Sequence, residues 1–374
     1  MVAMLKQKLS LHQEIKINYP IYFSENLFSK QSNFKELRRL CSNKPLLVVI
    51  DKNVSKIYGK LIKNSFNSFN HQVSFLNLDA TEKNKNIQSI LKLSNRARSV
   101  GLRRDSLFVA VGGGITLDMV GLAAFLYRRR INYIRIPTTL VGMIDAGVGI
   151  KVGVNFENSK NFLGGYYPPL AVFSDQNFLS TISEKEIKSG LYEMLKMAII
   201  LDLNLFKMID NNHKNFTNKK FNKKTLEIIR ASSYLMLQEL EGNLYEKILK
   251  RKVDFGHTFS PYFETNSDFN IPHGQAVGID ILISSLIAFQ RKLIPENEFN
   301  RILKMIYKIG FSKKYKLPPV NKIYASLNEI KKHRAGNLNL VLPNTIGSCV
   351  FTNKCSFNEI KAATSFLRLS NIFR

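Results

Sequence analysis

The sequence predicts a two-domain α/β protein, with a parallel sheet flanked by helices over residues 1–181 and a mainly α-helical domain over residues 182–374. Three observations carry this reading. Short runs rich in Val, Ile and Leu alternate with stretches of helical spacing through the first half. One of these runs closes on Gly112-Gly-Gly114, a turn that joins a strand to a helix. Beyond about Ile182 the apolar period becomes helical and stays so. No Pro/Gly/Ser-rich linker separates the halves, so the boundary is a shift of pattern, and the cleft between the halves is the natural place for a ligand.

The elements follow in order. Residues 45–51 read as a buried strand, 72–78 as a second, and 84–98 as a helix. Residues 106–112 form a strand ending in glycines, 117–127 a helix and 132–137 the next strand. Such alternation gives a parallel sheet with helices on both faces and ligands at the carboxyl ends of its strands. Residues 137–165 show little periodicity and read as one long loop, which inside a compact domain is usually functional. Helical patches then fall at 183–202, 223–247, 274–291 and 296–308, and no internal repeat is present.

Composition bounds the class. The chain of 374 residues is 45% apolar and 11% aromatic, enough for two cores. Its three cysteines, Cys41, Cys349 and Cys355, form no CxxC pair, which fits a reduced cytoplasmic setting. The first ten residues contain lysines but no apolar stretch of signal-peptide length. No apolar run is long enough to span a membrane. The net charge of +27 suggests nucleic acid at first sight. The lysines are scattered along the chain among many asparagines, however, and nucleic-acid motifs are absent. A compositional bias explains the charge, with a field that attracts phosphorylated substrates as the lesser reading.

The chemistry concentrates in a few motifs. His257 and His273, two of only six histidines, each sit beside a glycine, and Glu193 lies upstream on a helical pattern. Two imidazoles and a carboxylate suit a catalytic divalent metal with positions left open for substrate. A lone histidine is usually structural; the pairing gives these two weight. Gly112-Gly-Gly114 lets backbone N–H groups approach a pyrophosphate, although such turns are also common without ligands. Asp118 could hold a ribose or nicotinamide group, or simply face solvent. Glu82 and Lys85 could reach an adenosine end, or form a plain surface pair. In the long loop, Lys151, Lys160 and Asn161 suit a phosphate monoester or a cofactor pyrophosphate. Arg128-Arg129-Arg130 adds a basic corner, either a solvated face or a phosphate contact.

Gly-Gly-Gly-x-x-x-Asp, Pro-Thr-Thr, Asp-x-x-Val-Gly-x-Lys, Lys-Asn, Gly-Leu-x-Glu-x-x-Lys, Asp-Phe-Gly-His-Thr-Phe and His-Gly-x-Ala-Val occur in that order. Together they resemble the sugar phosphate cyclase superfamily, of which the 3-dehydroquinate synthases are best known, over roughly residues 45–350. The resemblance implies NAD and a divalent metal, zinc or cobalt, with Glu193, His257 and His273 as its ligands. It puts Gly113, Gly114, Asp118, Thr138, Thr139 and Lys160 beside the cofactor. Asp51, Glu82, Lys85, Asp145 and Thr181 complete that candidate set. Lys151 and Asn161 fall on the phosphate-binding positions, and Lys196 on a lysine beside the reacting hydroxyl. Arg129 matches an arginine lent by a neighbouring subunit, which implies a homodimer. Asp145 is counted with Lys151, Lys196 and Asp254 as catalytic. No nucleic-acid or membrane partner is expected.

Departures from that family narrow the substrate. Dehydroquinate synthases resembling this chain have asparagine at Asp254, histidine at Pro261, lysine at Met236 and arginine at Lys250. The lysine and arginine serve a substrate carboxylate. Replacing that lysine with Met236 would leave a buried anion unpartnered, a cost of several kcal/mol. Asp254 would accept from neutral hydroxyls instead. Tyr192 and Gln275 replace alanine and glutamate and are candidates to tune the metal's surroundings. Lys331 and Lys332 are left open as substrate contacts. The resemblance is strongest to the sedoheptulose 7-phosphate cyclases, in the branch that makes 2-epi-5-epi-valiolone and releases phosphate. Alternatives are a 3-dehydroquinate synthase, a desmethyl-4-deoxygadusol synthase, an NAD- and metal-dependent polyol dehydrogenase, and a non-catalytic cofactor-binding protein.

Overall fold

A computed structural model describes residues 10–29, 34–157, 159–268, 270–311 and 315–370. Residues 1–9, which carry most of the signal-peptide reading, lie outside the described residues.

The first half is an open sheet of six strands, all parallel, in the order β1 (Ile21–Ser24), β8 (Ala171–Asp175), β5 (Asn132–Pro137), β4 (Leu107–Gly112), β2 (Leu46–Asp51) and β3 (Val73–Leu78). Period-two alternation explains its burial on both faces. Leu47 and Val49 of β2, with Phe108 and Ala110 of β4, enter a core shared with α3 (Ile87–Ser99) and α4 (Gly114–Leu126). Leu46, Val48 and Ile50 point to the opposite side. That second core continues without a break into α5 (Glu184–Leu201), α6 (Leu203–Thr217), α7 (Lys223–Leu240) and α9 (His273–Gln290). One apolar core therefore serves both halves, which is why no linker marks the boundary. The last sheet strand ends at Asp175 and α5 begins at Glu184.

The chain leaves β2 for β3 on one side and returns to β4 on the other, so the sheet's topological switch lies between the carboxyl ends of β2 and β4. A doubly wound sheet opens a crevice there.

Residues 137–165 are not a structureless loop. They hold one π-helical turn, Gly142–Ala146, and an antiparallel hairpin of β6 (Lys151–Phe156) and β7 (Ser159–Tyr166). The π turn closes through Gly147 N–H to Gly142 O at 2.8 Å, and a Cβ at Gly147 would stand 2.3 Å from that oxygen. Glycine content hid the strand period. The helix expected over 117–127 starts earlier, at Gly114, and the patch at 223–247 stops at Leu240, just before Gly242 at φ 78°. Elements with little sequence signal complete the second half: α8 (Ser260–Asn266), α11 (Val320–His333), the hairpin β9 (Leu340–Thr345) with β10 (Ser348–Thr352), and α12 (Phe357–Leu369). The patch at 296–308 is α10 (Glu296–Ile309).

Among the described residues no helix is long and apolar enough to cross a membrane.

Candidate active site

A cleft of about 1060 Å³ opens where the carboxyl ends of the sheet strands face the helical half. Its walls include Asp51 at the end of β2, Gly113 and Gly114 after β4, and Thr138 and Thr139 after β5. Asp145, Lys151, Lys160 and Asn161 enter from the π turn and the hairpin. Lys196, Met236, Asp254, His257 and His273 enter from the helical half.

Glu193 lies beneath this floor with no exposed surface. Its position follows from a close crossing of α5 and α9. A Cβ at Gly274 would lie 2.1 Å from Ser189 O, so only glycine lets these helices approach so far. His273, the first residue of α9, is thereby brought beside Glu193, with Nε2 3.2 Å from Oε1. His257 Nε2 stands 3.8 Å from the same oxygen. One ligand atom from each of the three residues lies within 4.8 Å of the others.

His257 owes its place to Asp280. That buried carboxylate accepts from the N–H groups of Thr258 at 2.7 Å, Phe259 at 2.5 Å and Ser260 at 2.9 Å. It thus caps the first turn of α8, where Pro261 sits with its φ already suited to a helix start.

These residues fit a divalent cation. Neither Glu193 oxygen receives a well-aligned hydrogen bond, although Lys196 Nζ is 2.7 Å from Oε2 as an ion pair. A buried carboxylate in that state is costly unless a cation meets it. Burial first, and then the Lys196 charge, push His257 down to about 3, which keeps its imidazole neutral and available as a ligand. Burial also pulls His273 down, but Glu264 and Glu193 outweigh it and lift it to about 10. A metal ion there would displace that proton.

The end of the cleft beside Gly113 and Gly114 is equally organised. Gly113 precedes α4 without a side-chain cap, so the helix's first N–H groups face the cleft. A Cβ at Gly113 would come 3.0 Å from the Thr139 side chain, and one at Gly114 would come 3.2 Å from Ala146 Cβ. The backbone cradle is thus one that side chains would fill. Lys85 Nζ donates to Asp118 at 2.6 Å and to Asn161 at 2.5 Å, while Glu82 accepts from Asn155 at 2.8 Å. Glu82 and Lys85 are therefore not a pair with each other. Asp51 accepts from Asn53 and Val54 N–H, and Thr181 shares a hydrogen bond with Tyr58 at 3.2 Å.

Charged groups cluster at the end of the cleft nearest Glu193. Burial raises the Asp145 carboxyl, opposed by the Lys196 charge. Burial alone would lower Lys196, but Glu193 and Asp145 outweigh it and hold its ammonium charged. Lys151 Nζ lies 2.7 Å from Glu246 Oε1, and Arg251 pairs with the same oxygen.

Lys250 differs in place from the expectation. Lys250 does not line the cleft; its ammonium lies 4.8 Å above the Phe351 ring. Because α7 ends at Leu240 and Arg251 is extended (φ −121°, ψ 132°), neighbouring side chains point to opposite sides. Arg251 is the one that faces the cleft and pairs with Asp254. Arg129 is exposed and stands outside its own chain's cleft, in a turn where Arg128, Arg129 and Arg130 all have positive φ, at 48°, 62° and 87°. Lys331 and Lys332 are also away from the cleft, Lys332 pairing with Glu329 at 2.7 Å. Tyr192 packs in the core, stacked on Phe311 with its hydroxyl donating to Gly310 O at 3.1 Å.

Sequence reading missed Glu246, Glu264 and Arg334. Nothing in the spacing of these charged residues marks them, Arg334 closing the basic run Lys331-Lys332-His333-Arg334, and only the fold brings them to the site. Arg334 Nη1 donates to Leu338 O at 2.6 Å, and its Nη2 lies 3.5 Å from Asp254 and 3.3 Å from His257 O.

Comparison with known proteins agrees with this arrangement. The 3-dehydroquinate synthase N-terminal family model matches residues 75–189, and the C-terminal model matches residues 190–333. A 2-epi-5-epi-valiolone synthase of Streptomyces albus is 35% identical over 326 residues, covering 85% of this chain and 80% of the relative. The structure of ValA, a 2-epi-5-epi-valiolone synthase from Streptomyces hygroscopicus subsp. jinggangensis with NAD+ and Zn2+ bound, superposes with a TM-score of 0.90. It is 34% identical, covering 97% of this chain and 99% of that one. A 2-deoxy-scyllo-inosose synthase complexed with carbaglucose-6-phosphate, NAD+ and Co2+ gives a TM-score of 0.74 at 25% identity, covering 89% of this chain and 91% of that one. With both halves matched in sequence order and the likeness running through most of its length, the chain belongs to the 3-dehydroquinate synthase family of sugar phosphate cyclases.

Proposed function

We propose that this chain converts sedoheptulose 7-phosphate into 2-epi-5-epi-valiolone, releasing phosphate as a carbon–oxygen lyase. The observation that carries the reading is the make-up of the cleft wall near the two histidines. Met236 offers no charge there, and Asp254 is already balanced by Arg251 and Arg334. Arg251 is shared with Glu246 as well. A substrate carboxylate would meet an apolar thioether, an anion, and cations already engaged. Neutral hydroxyls of a ketose would find a fixed acceptor in Asp254.

NAD, held by Gly113, Gly114, Asp118, Thr138, Thr139 and Lys160, supplies a hydride acceptor that later returns the hydride, so the oxidation is transient. A divalent cation, zinc or cobalt, held by Glu193, His257 and His273, supplies Lewis-acid polarisation of the oxygen being oxidised. The chain's own groups do the rest. Lys196 Nζ, beside Glu193, orients the hydroxyl and relays its proton. Lys151 and Asn161 hold the phosphate and stabilise its charge as it departs. Lys151 leaves Glu246 to do so. Arg129 projects into the cleft of a second copy, which makes the working unit a homodimer. Asp145, with its raised carboxyl next to Lys196, takes part in proton movement at that end. The unpaired Cys41, Cys349 and Cys355 agree with a cytoplasmic enzyme.

Incubation of the purified chain with sedoheptulose 7-phosphate, NAD and Zn2+ or Co2+, with the product identified by NMR, tests the proposal. 2-Epi-5-epi-valiolone is expected. A different carbocycle would redirect the product assignment, and an uncyclised oxidised sugar would favour the polyol dehydrogenase reading.

A further inference from the structure

His273 reaches the cleft from the first turn of α9 with its second ring nitrogen already engaged. Nδ1 lies 2.8 Å from Glu264 Oε1. The other carboxylate oxygen, Glu264 Oε2, accepts from Lys160 Nζ at 2.6 Å. Glu264 sits on the short helix α8, is only 4% exposed, and has its two oxygens divided between these two partners. One buried carboxylate therefore joins an imidazole of the helical half to a lysine of the β6–β7 hairpin in the sheet half.

We propose that Glu264 is a positioning residue that aims His273 Nε2 at the cation site and, through Lys160, couples cation binding to occupancy of the nucleotide end of the cleft. The inference rests on reading Glu193, His257 and His273 as that cation site.

The physical case has two parts. A carboxylate accepting from Nδ1–H keeps that proton on Nδ1, so that a cation displacing the other proton meets the Nε2 lone pair on the side of Glu193, 3.2 Å away. Without it the ring is free to turn or to take the other tautomer. The second part concerns charge. Glu264 divides its anion between His273 and Lys160. An anionic nucleotide at the cleft draws on Lys160, and the Glu264 charge then falls more fully on the imidazole, strengthening it as a ligand. Coupling of this kind is reciprocal, so the cation raises nucleotide affinity by the same factor.

Glu264→Gln keeps the volume but presents an NH2 group to one of two partners that both donate, so one contact must fail. The experiment strips metal from the purified full-length protein and titrates Co2+ by its visible absorption, with and without saturating NAD. The wild type is expected to bind Co2+ and to bind it at least about fivefold more tightly with NAD. Glu264→Gln is expected to lose about 10–100-fold in Co2+ affinity, with an altered visible band, and to show little NAD effect. Glu264→Asp, which keeps the carboxylate but shortens its reach, should fall between the two and serves if the glutamine variant does not fold. Equal Co2+ affinity, band and NAD effect in the wild type and Glu264→Gln would overturn the inference alone. A wild-type chain that takes up no Co2+ would overturn the cation-site reading and this inference with it.

Discussion

Asp254 and Arg334 meet at the floor of the cleft, with Arg334 Nη2 3.5 Å from Asp254 Oδ2. The same guanidinium donates to His257 O at 3.3 Å and to Leu338 O at 2.6 Å, and Arg251 covers the other Asp254 oxygen. The carboxylate is only 7% exposed, so its position is fixed before any substrate arrives. Fixed acceptors of this kind select substrates by what they leave unpaired.

Asp254→Ala should therefore damage substrate handling without removing the metal, since the residue is not among the three proposed ligands. Loss of one buried charged contact is worth about 2–5 kcal/mol, roughly thirtyfold to several-thousandfold in kcat/KM. Steady-state kinetics with metal analysis of the same sample checks this. Metal loss matching the loss of activity would contradict it.

His257→Ala removes one of three proposed ligands and should lower both bound metal and turnover by at least about 100-fold. Chelation of the wild type should abolish turnover, and added zinc or cobalt should restore it. Undiminished activity and metal content in the variant would remove His257 from the ligand set.

Redox accounting separates a cyclase from a dehydrogenase. Inorganic phosphate should rise with substrate loss while absorbance from NADH shows no lasting increase. NADH accumulating in step with substrate loss would favour net oxidation.

The Arg291–Glu359 pair ties the end of α9 to α12 and should give a pH-dependent contribution to stability. Hydrogen bonding to Arg291 holds Glu359 down at about 2. A depressed carboxyl stabilises the fold above its unfolded value of about 4.3 and loses that contribution as pH falls through about 2. Because the pair is partly exposed, Glu359→Gln should cost no more than about 1 kcal/mol at neutral pH. Thermal melts should show the difference shrinking between about pH 5 and pH 2. A difference that stayed constant over that window would contradict the assignment.

The sheet was legible because β2 and β4 are buried on both faces and read as apolar runs, and β5 is apolar apart from Asn132 and the buried Arg135. β1 and β8, of four and five residues, are too short to show a period. The β6–β7 hairpin was hidden by its glycines, of which Gly164 permits a close strand approach, a Cβ there standing 2.1 Å from Val152 O. At the site, residues within motifs could be read because their neighbours are unusual, as with His257 and His273. Glu264 and Arg334 could not, because a charged side chain in a helix or turn looks the same whether solvated or buried, and Arg334 stands in a run with Lys331, Lys332 and His333. The exchange of Lys250 for Arg251 was invisible for a related reason: an extended segment decides which of two adjacent cations faces inward, and spacing alone does not.

This cleft is proposed to admit a ketose phosphate that lacks a carboxylate and to refuse a carboxylated one. The most direct measurement is kcat/KM for sedoheptulose 7-phosphate against that for the seven-carbon phosphorylated keto acid from which dehydroquinate is made, with the same metal-loaded protein. Turnover of the first is expected, with discrimination of roughly thirtyfold to several-thousandfold against the second. Efficient conversion of the keto acid to dehydroquinate would contradict it.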